Sequence, residues 1–180
     1  MAQKRKDWNG LISGFKASDL VFLDESGCNT DMTRRYAYSL GGSRAVDSAP
    51  LSKPKNTTIL SSIQLDGTLR YTTFSGGTTV ERFKRYLETD LLPHLNGNSV
   101  LIMDNMRSHH AKAVRNLLDS SGIRYIYLPP YSPDLNPIEK LWSKVKAFLR
   151  KFKARTLDAL PNAIQNAFHS VTISDCSGWF

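Results

Sequence analysis

Val100–Asp104, VLIMD, is a run of four apolar residues closed by a carboxylate, and Leu20–Asp24, LVFLD, repeats the pattern upstream. Short, continuously apolar runs bounded by polar residues suit central strands covered on both faces. An ionised carboxylate inside such a core is strongly disfavoured, so each aspartate is expected where its strand stops, paired or bound to a cation. In open α/β sheets that strand mouth is also where ligands bind. Glu25 follows Asp24 directly, but successive strand side chains point to opposite faces. Only one of the two can therefore face Asp104, and Asp24 is taken as that residue.

A third acid lies in Leu128–Trp142, LPPYSPDLNPIEKLW, which opens a helix with Glu139 in its first turn. Asn136, Pro137, Ile138 and Glu139 read as N-cap, N1, N2 and N3, which puts Glu139 at the capping-box position. The same positive helix end favours the ionised carboxylate that a metal requires. Asp134 is a rival ligand, although Pro133-Asp134 reads as turn chemistry. Three acids of this kind point to magnesium, which takes oxygen ligands in an octahedron and is held by one or two carboxylates, waters and substrate phosphate. Two ions about 4 Å apart would serve both oxygens of an in-line displacement. Asp24 is expected to bridge them, with Asp104 and Glu139 completing one ion each.

From Ile138 the apolar residues recur at Leu141, Trp142, Val145, Phe148, Leu149 and Phe152, a helical stripe that belongs in a core. Lys140, Lys144, Lys146, Arg150 and Lys151 fill the remaining faces, a one-sided basicity suited to a track for phosphates as well as to a solvated face. Arg34, Arg35, Lys53 and Lys55 lie in loops and are further candidates for phosphate contact. The net charge of +8 likewise directs attention to a polyanion. Nucleic acid fits better than membrane, because no basic amphipathic segment is free of core duty and no run of eighteen apolar residues occurs. Cys28 and Cys176 lack the spacing of a zinc site and the density of a secreted scaffold, so a cytoplasmic setting is expected.

The segments LVFLDESG, LIMDNMRSHH and LPPYSPDLNPIEKLW, with thirty-four residues between Asp104 and Glu139, resemble the catalytic domain of the mariner-type superfamily of transposases. The likeness is to its bacterial insertion-sequence branch and runs from about Leu20 to Phe180. It implies a ribonuclease H-like fold and cut-and-paste DNA transposition with two Mg²⁺ ions, Mn²⁺ serving as a substitute. On this resemblance the metal-binding acids fall on Asp24, Asp104 and Glu139, and Asn105 and His109 match the family's supporting asparagine and histidine. His109 also stands where a helix begins, a place where capping is the common job. Family members act as dimers on paired DNA ends, so a homodimer is implied. They also carry helix-turn-helix modules before the first catalytic strand, whereas about twenty residues precede Asp24 here. The expectation is the catalytic half of a split element, with an upstream helix-turn-helix polypeptide as partner, or a truncated remnant. In a bacterium it would be associated with the nucleoid. A metal-dependent nuclease or resolvase, and a non-catalytic DNA-binding remnant, are the rival functions.

The expected organisation is a basic, poorly structured lead over 1–18 and one catalytic domain over 19–180. The fold class is α/β, a ribonuclease H-like mixed five-stranded sheet with helices on both faces. Asp66-Gly67 marks a hairpin between strands at Thr57–Leu65 and Leu69–Phe74. Arg34–Leu40 alternates aromatics and reads as a further strand. Helices are expected roughly over Thr79–His94, about His109–Ser121, from Ile138 onward and about Thr156–His169, with a strand at Tyr125–Leu128.

Overall fold

The computed structural model describes residues 2–34, 36–51 and 54–180. The Asp66-Gly67 turn joins strands β2 (Thr57–Gln64) and β3 (Leu69–Ser75) as an antiparallel hairpin. Gly67 adopts φ +87°, a conformation that side chains with a Cβ rarely reach, and the Asp66 carboxylate accepts the Thr68 backbone N–H at 2.8 Å. β1 (Leu20–Cys28) pairs antiparallel with β2 on one side and parallel with β4 (Val100–Met103) on the other. β5 (Arg124–Tyr127) lies parallel to β4, giving the order β3-β2-β1-β4-β5, the mixed five-stranded sheet anticipated.

Alternation along β1 divides its side chains between two cores. Leu20 and Phe22 enter the one built with α4 (Ile138–Phe152) and α5 (Leu160–His169). Val21 and Leu23 enter the one built with α2 (Val80–Tyr86) and α3 (Lys112–Ser121). Helices therefore cover both faces, which is why β1 and β4 read as continuous apolar runs. α2 passes directly into a π turn at Leu87–Leu91 and a 3₁₀ turn at Leu92–His94, so the expected Thr79–His94 helix is one helical run of changing pitch.

Four expectations need correction. β1 does not stop at Asp24 but continues to Cys28, paired with β2 alone; the strand that stops is β4, at Met103. Arg34–Leu40 forms no strand among its described residues: Tyr36 and Tyr38 are fully exposed and meet no sheet face that would make their alternation meaningful. The 1–18 lead is largely helical, as α1 (Ala2–Ile12). Trp8 is buried in the first core and Ile12 and Phe15 pack against it, a stripe at i, i+4 and i+7 that was present in the sequence. The helices expected at His109 and Thr156 begin only at Lys112 and Leu160, after turns. A further helix, α6 (Ile173–Trp179), starts with a capping box between Thr172 and Asp175. No helix among the described residues is long and apolar enough to cross a membrane.

Candidate metal centre and nucleic-acid face

The last paired residues of β1 and β4 are Leu23 and Met103, so Asp24 and Asp104 stand side by side one step beyond. Glu139 arrives from the first turn of α4, which is seated on the same face through Trp142. The three carboxylates line one cavity of about 420 Å³, whose wall also includes Asn105, Tyr131 and Asn136.

Asp24 is 8% exposed, and the indole N–H of Trp142 donates to its Oδ2 at 3.0 Å. Burial pushes its carboxyl up to about 7; hydrogen bonds from the Glu25 backbone and Trp142 offset part of this, while the neighbouring charges of Glu25 and Asp104 add to it. Asp104 behaves oppositely. Burial again raises it, but hydrogen bonds from His109 and the Met106 backbone outweigh that and hold it below the ordinary carboxylate value. The Met106 N–H donates to Oδ1 at 3.0 Å, and His109 Nδ1 lies 2.8 Å from the same oxygen while hydrogen-bonding the Asp104 backbone carbonyl at 3.3 Å.

The capping box expected of Glu139 does not form. Pro137 occupies the N-cap position, Asn136 Oδ1 is buried without a partner, and the Glu139 carboxylate makes no hydrogen bond to the described residues. Glu139 is thus exposed and uncommitted at the cavity. Asp134, the rival ligand, is occupied by Arg5, which also bonds Ser132 and so ties α1 to the Pro133–Leu135 turn.

This all-oxygen donor set suits a hard divalent cation such as Mg²⁺ or Mn²⁺. A buried carboxyl near neutrality beside two other acids is the arrangement that a cation converts to the charged form.

His109 and Asn105 are both engaged near the site. His109 is fully buried rather than capping a helix, stacked on Phe83 with ring centroids 4.1 Å apart. Its Nε2 faces Glu25 Oε1 at 3.1 Å while Nδ1 faces Asp104. Burial lowers the basicity of the ring, but the two carboxylates more than compensate and push its pKa up to about 10. Asn105 donates to the Leu128 carbonyl and lies 3.2 Å from His110 Nε2, fastening the loop after β4 to the end of β5. Glu25 and the N–H of Trp142 are site residues that sequence reasoning passed over; Glu25 was set aside for pointing away, and Trp142 was read only as part of an apolar stripe.

The basic candidates divide. Along α4, Lys146 and Arg150 follow Glu139 at spacings of seven and eleven and share its flank, while Lys140, Lys144 and Lys151 share the other. Lys144 is taken up by Asp175 of α6. Arg34 and Lys55 are exposed, and Arg35 and Lys53 lie outside the described residues. Lys153 and Arg155 serve the fold: Lys153 pairs with Asp47 at 2.6 Å, and Arg155 donates to the carbonyls of Thr30, Met32 and Ser48, securing the long β1–β2 connection.

Residues 19–161 match the family described as DDE superfamily endonuclease. Over 97 residues, 52% of this chain and 36% of the relative, the sequence is 29% identical to the transposable element Tc1 transposase of Caenorhabditis elegans. Its fold superposes on the Mos1 mariner paired-end complex with Mn, with TM-score 0.82 and 20% identity over 98% of this chain and 57% of that one. It likewise superposes on the catalytic domain of Mos1 mariner transposase, with TM-score 0.74 and 18% identity over 98% and 84%. The sheet is accordingly of the ribonuclease H-like kind seen in that catalytic domain. With three acids meeting at the mouth of such a sheet, the chain belongs to the DDE superfamily endonucleases, with homology to Tc1/mariner-like transposase catalytic domains.

Proposed function

We propose that this chain is the catalytic domain of a mariner-type transposase, cutting DNA at element ends and joining the freed 3′-hydroxyl to target DNA with Mg²⁺ held by Asp24, Asp104 and Glu139. The observation that carries it is the convergence of three acids from three separate elements on one cavity, with Glu139 left without a structural task. A bound pair of divalent ions would supply charge stabilisation to the attacking and leaving oxygens of an in-line displacement. The chain itself does the rest. Trp142 holds one carboxylate oxygen of Asp24, His109 braces Asp104 through its backbone carbonyl and against its carboxylate, Pro130 and Pro133 stiffen the wall around Tyr131, and Lys146 and Arg150 extend from Glu139 along a path suited to a DNA backbone. No protein nucleophile is required, since water and then a DNA hydroxyl attack phosphorus.

The basic flanks of α4, and the left transposon end named in a Mos1 transposase paired-end complex of similar fold, support DNA as partner. Homodimer formation, an upstream helix-turn-helix polypeptide, membership of the bacterial insertion-sequence branch and a cytoplasmic, nucleoid-associated setting belong to the same proposal and rest on the motif likeness. The test is joining: a precleaved 3′-hydroxyl end is incubated with the protein, Mg²⁺ and plasmid, and insertion products are sought. Insertion that disappears in Glu139→Ala supports transposition. Cleavage without insertion identifies a nuclease or resolvase, and activity indifferent to Glu139→Ala rejects the metal centre.

A further inference from the structure

We propose that Glu25 is a positioning residue for Asp104, acting across the sheet through His109 and not as a ligand of the cation itself. The inference rests on reading Asp104 as a ligand of the cation. β1 places Asp24 and Glu25 on opposite faces, and the Glu25 side chain, 7% exposed, is absent from the cavity that Asp24, Asp104 and Glu139 share. Its Oε1 meets His109 Nε2 at 3.1 Å, and its Oε2 is buried without a hydrogen-bond partner, so His109 is its polar outlet among the described residues. The His109 ring is wholly buried, packed flat on Phe83, and its backbone carbonyl accepts the Tyr127 hydroxyl at 3.0 Å, so it has little freedom to turn.

Nδ1 of that fixed ring stands 2.8 Å from Asp104 Oδ1 and hydrogen-bonds the Asp104 backbone carbonyl at 3.3 Å, while the Met106 N–H donates to Oδ1 at 3.0 Å, so the residue is held by both its backbone and its side chain. Glu25, Asp104 and His109 also lie close enough to form a metal cluster of their own, with ligand atoms within 4.8 Å of one another. The distances argue against that use. Each ring nitrogen already faces a carboxylate oxygen at hydrogen-bond length, and a nitrogen carrying that proton has no lone pair for a metal. A carboxylate–histidine pair that orients a ligand is a familiar device around metal sites; here the ligand so oriented is itself a carboxylate.

The experiment is Mn²⁺ titration of the DNA-free protein, followed by electron paramagnetic resonance, on wild type, Asp104→Asn, Glu25→Gln and Glu25→Leu. Glutamine retains an acceptor for Nε2–H and should keep wild-type affinity, whereas leucine should weaken it by about 10- to 100-fold, as loss of an orienting partner does. NMR of the wild type should show both His109 ring nitrogens hydrogen-bonded, a readout that does not depend on the leucine variant folding. Glu25→Gln as damaging as Asp104→Asn would make Glu25 a ligand and overturn the proposal. Glu25→Leu with unchanged affinity, or a ring nitrogen free of hydrogen bonds, would reduce Glu25 to packing and overturn it as well. Should Asp104→Asn itself leave Mn²⁺ binding intact, the metal reading falls and this inference with it.

Discussion

Asp24→Asn should stabilise the cation-free protein at alkaline pH while removing its function. Asp24 is 8% exposed, and burial lifts its carboxyl from an ordinary 3.8 to about 7. Each step on the pH scale corresponds to about 1.4 kcal/mol, so holding this group ionised in the folded state costs about 4 kcal/mol at pH 8. That figure is a ceiling, since relaxation and water entry soften such penalties. Because the folded value lies above the unfolded one, stability is fully present below about 3.8 and lost as pH rises through 7. Asparagine keeps an oxygen for the Trp142 N–H and has no charge to bury, so the variant avoids the loss. For a chain of this length 1 kcal/mol moves the melting midpoint by about 2–4 °C, giving a rise of up to about 8–16 °C. The assay is thermal unfolding in chelator at pH 8 and pH 4, repeated at pH 8 with Mn²⁺. The gain should appear at pH 8, vanish at pH 4, and be matched in wild type on adding the cation, which binds only the folded state. A variant no more stable than wild type at pH 8, or equally favoured at both pH values, would refute the reasoning.

Gly67→Ala should destabilise the chain by roughly 1–3 kcal/mol in urea denaturation, because φ is +87° and the new Cβ would lie 3.0 Å from Ile173 Cγ1. Asp175, held at about 2 by Lys144 and by the Thr172 cap, contributes above the ordinary carboxylate value and loses that contribution as pH falls through 2; Asp175→Asn should therefore lower the melting midpoint at pH 7 but match wild type near pH 2. Arg155→Ala removes the donor to three carbonyls and should speed protease cleavage between residues 33 and 51, with the core fragments unaffected. In DNA-binding titrations Lys146→Ala and Arg150→Ala should each reduce the salt slope by about one, whereas Lys144→Ala, already paired with Asp175, should leave it unchanged.

The sheet was legible because its signals are local. VLIM and LVFL suit central strands, Asp66-Gly67 suits a tight turn, and the Ile138 stripe has one face to bury. The errors arose where a local signal needs a tertiary partner to mean anything. Tyr36 and Tyr38 alternate as a strand would, yet no sheet edge receives them. The Trp8, Ile12, Phe15 stripe was hidden by the lysines and arginines around it, although a helix only needs one face covered, and the first core covers it. Asn136-Pro137-Ile138-Glu139 has the letters of a capping box, but the 3₁₀ turn at Pro133–Leu135 delivers the chain at an angle that leaves Asn136 inward and Glu139 free.

The site shows the same division at finer grain. Period-two alternation correctly sent Asp24 and Glu25 to opposite faces, and from that it followed that only Asp24 could act with Asp104. The deduction assumed that a residue on the far face has no route back. It has one because β4 ends at Met103: the chain from Asp104 to His110 is released from the sheet and curls over the far face, carrying His109 beneath Phe83 and within reach of Glu25. A strand period specifies the face on which a side chain emerges, whereas the reach between faces depends on where the neighbouring strand stops. Asp104 belongs to both faces for that reason, with Oδ1 held from the α2 side and its carboxylate lining the cavity on the α4 side, and the division of labour between Asp24 and Glu25 is decided by the length of β4.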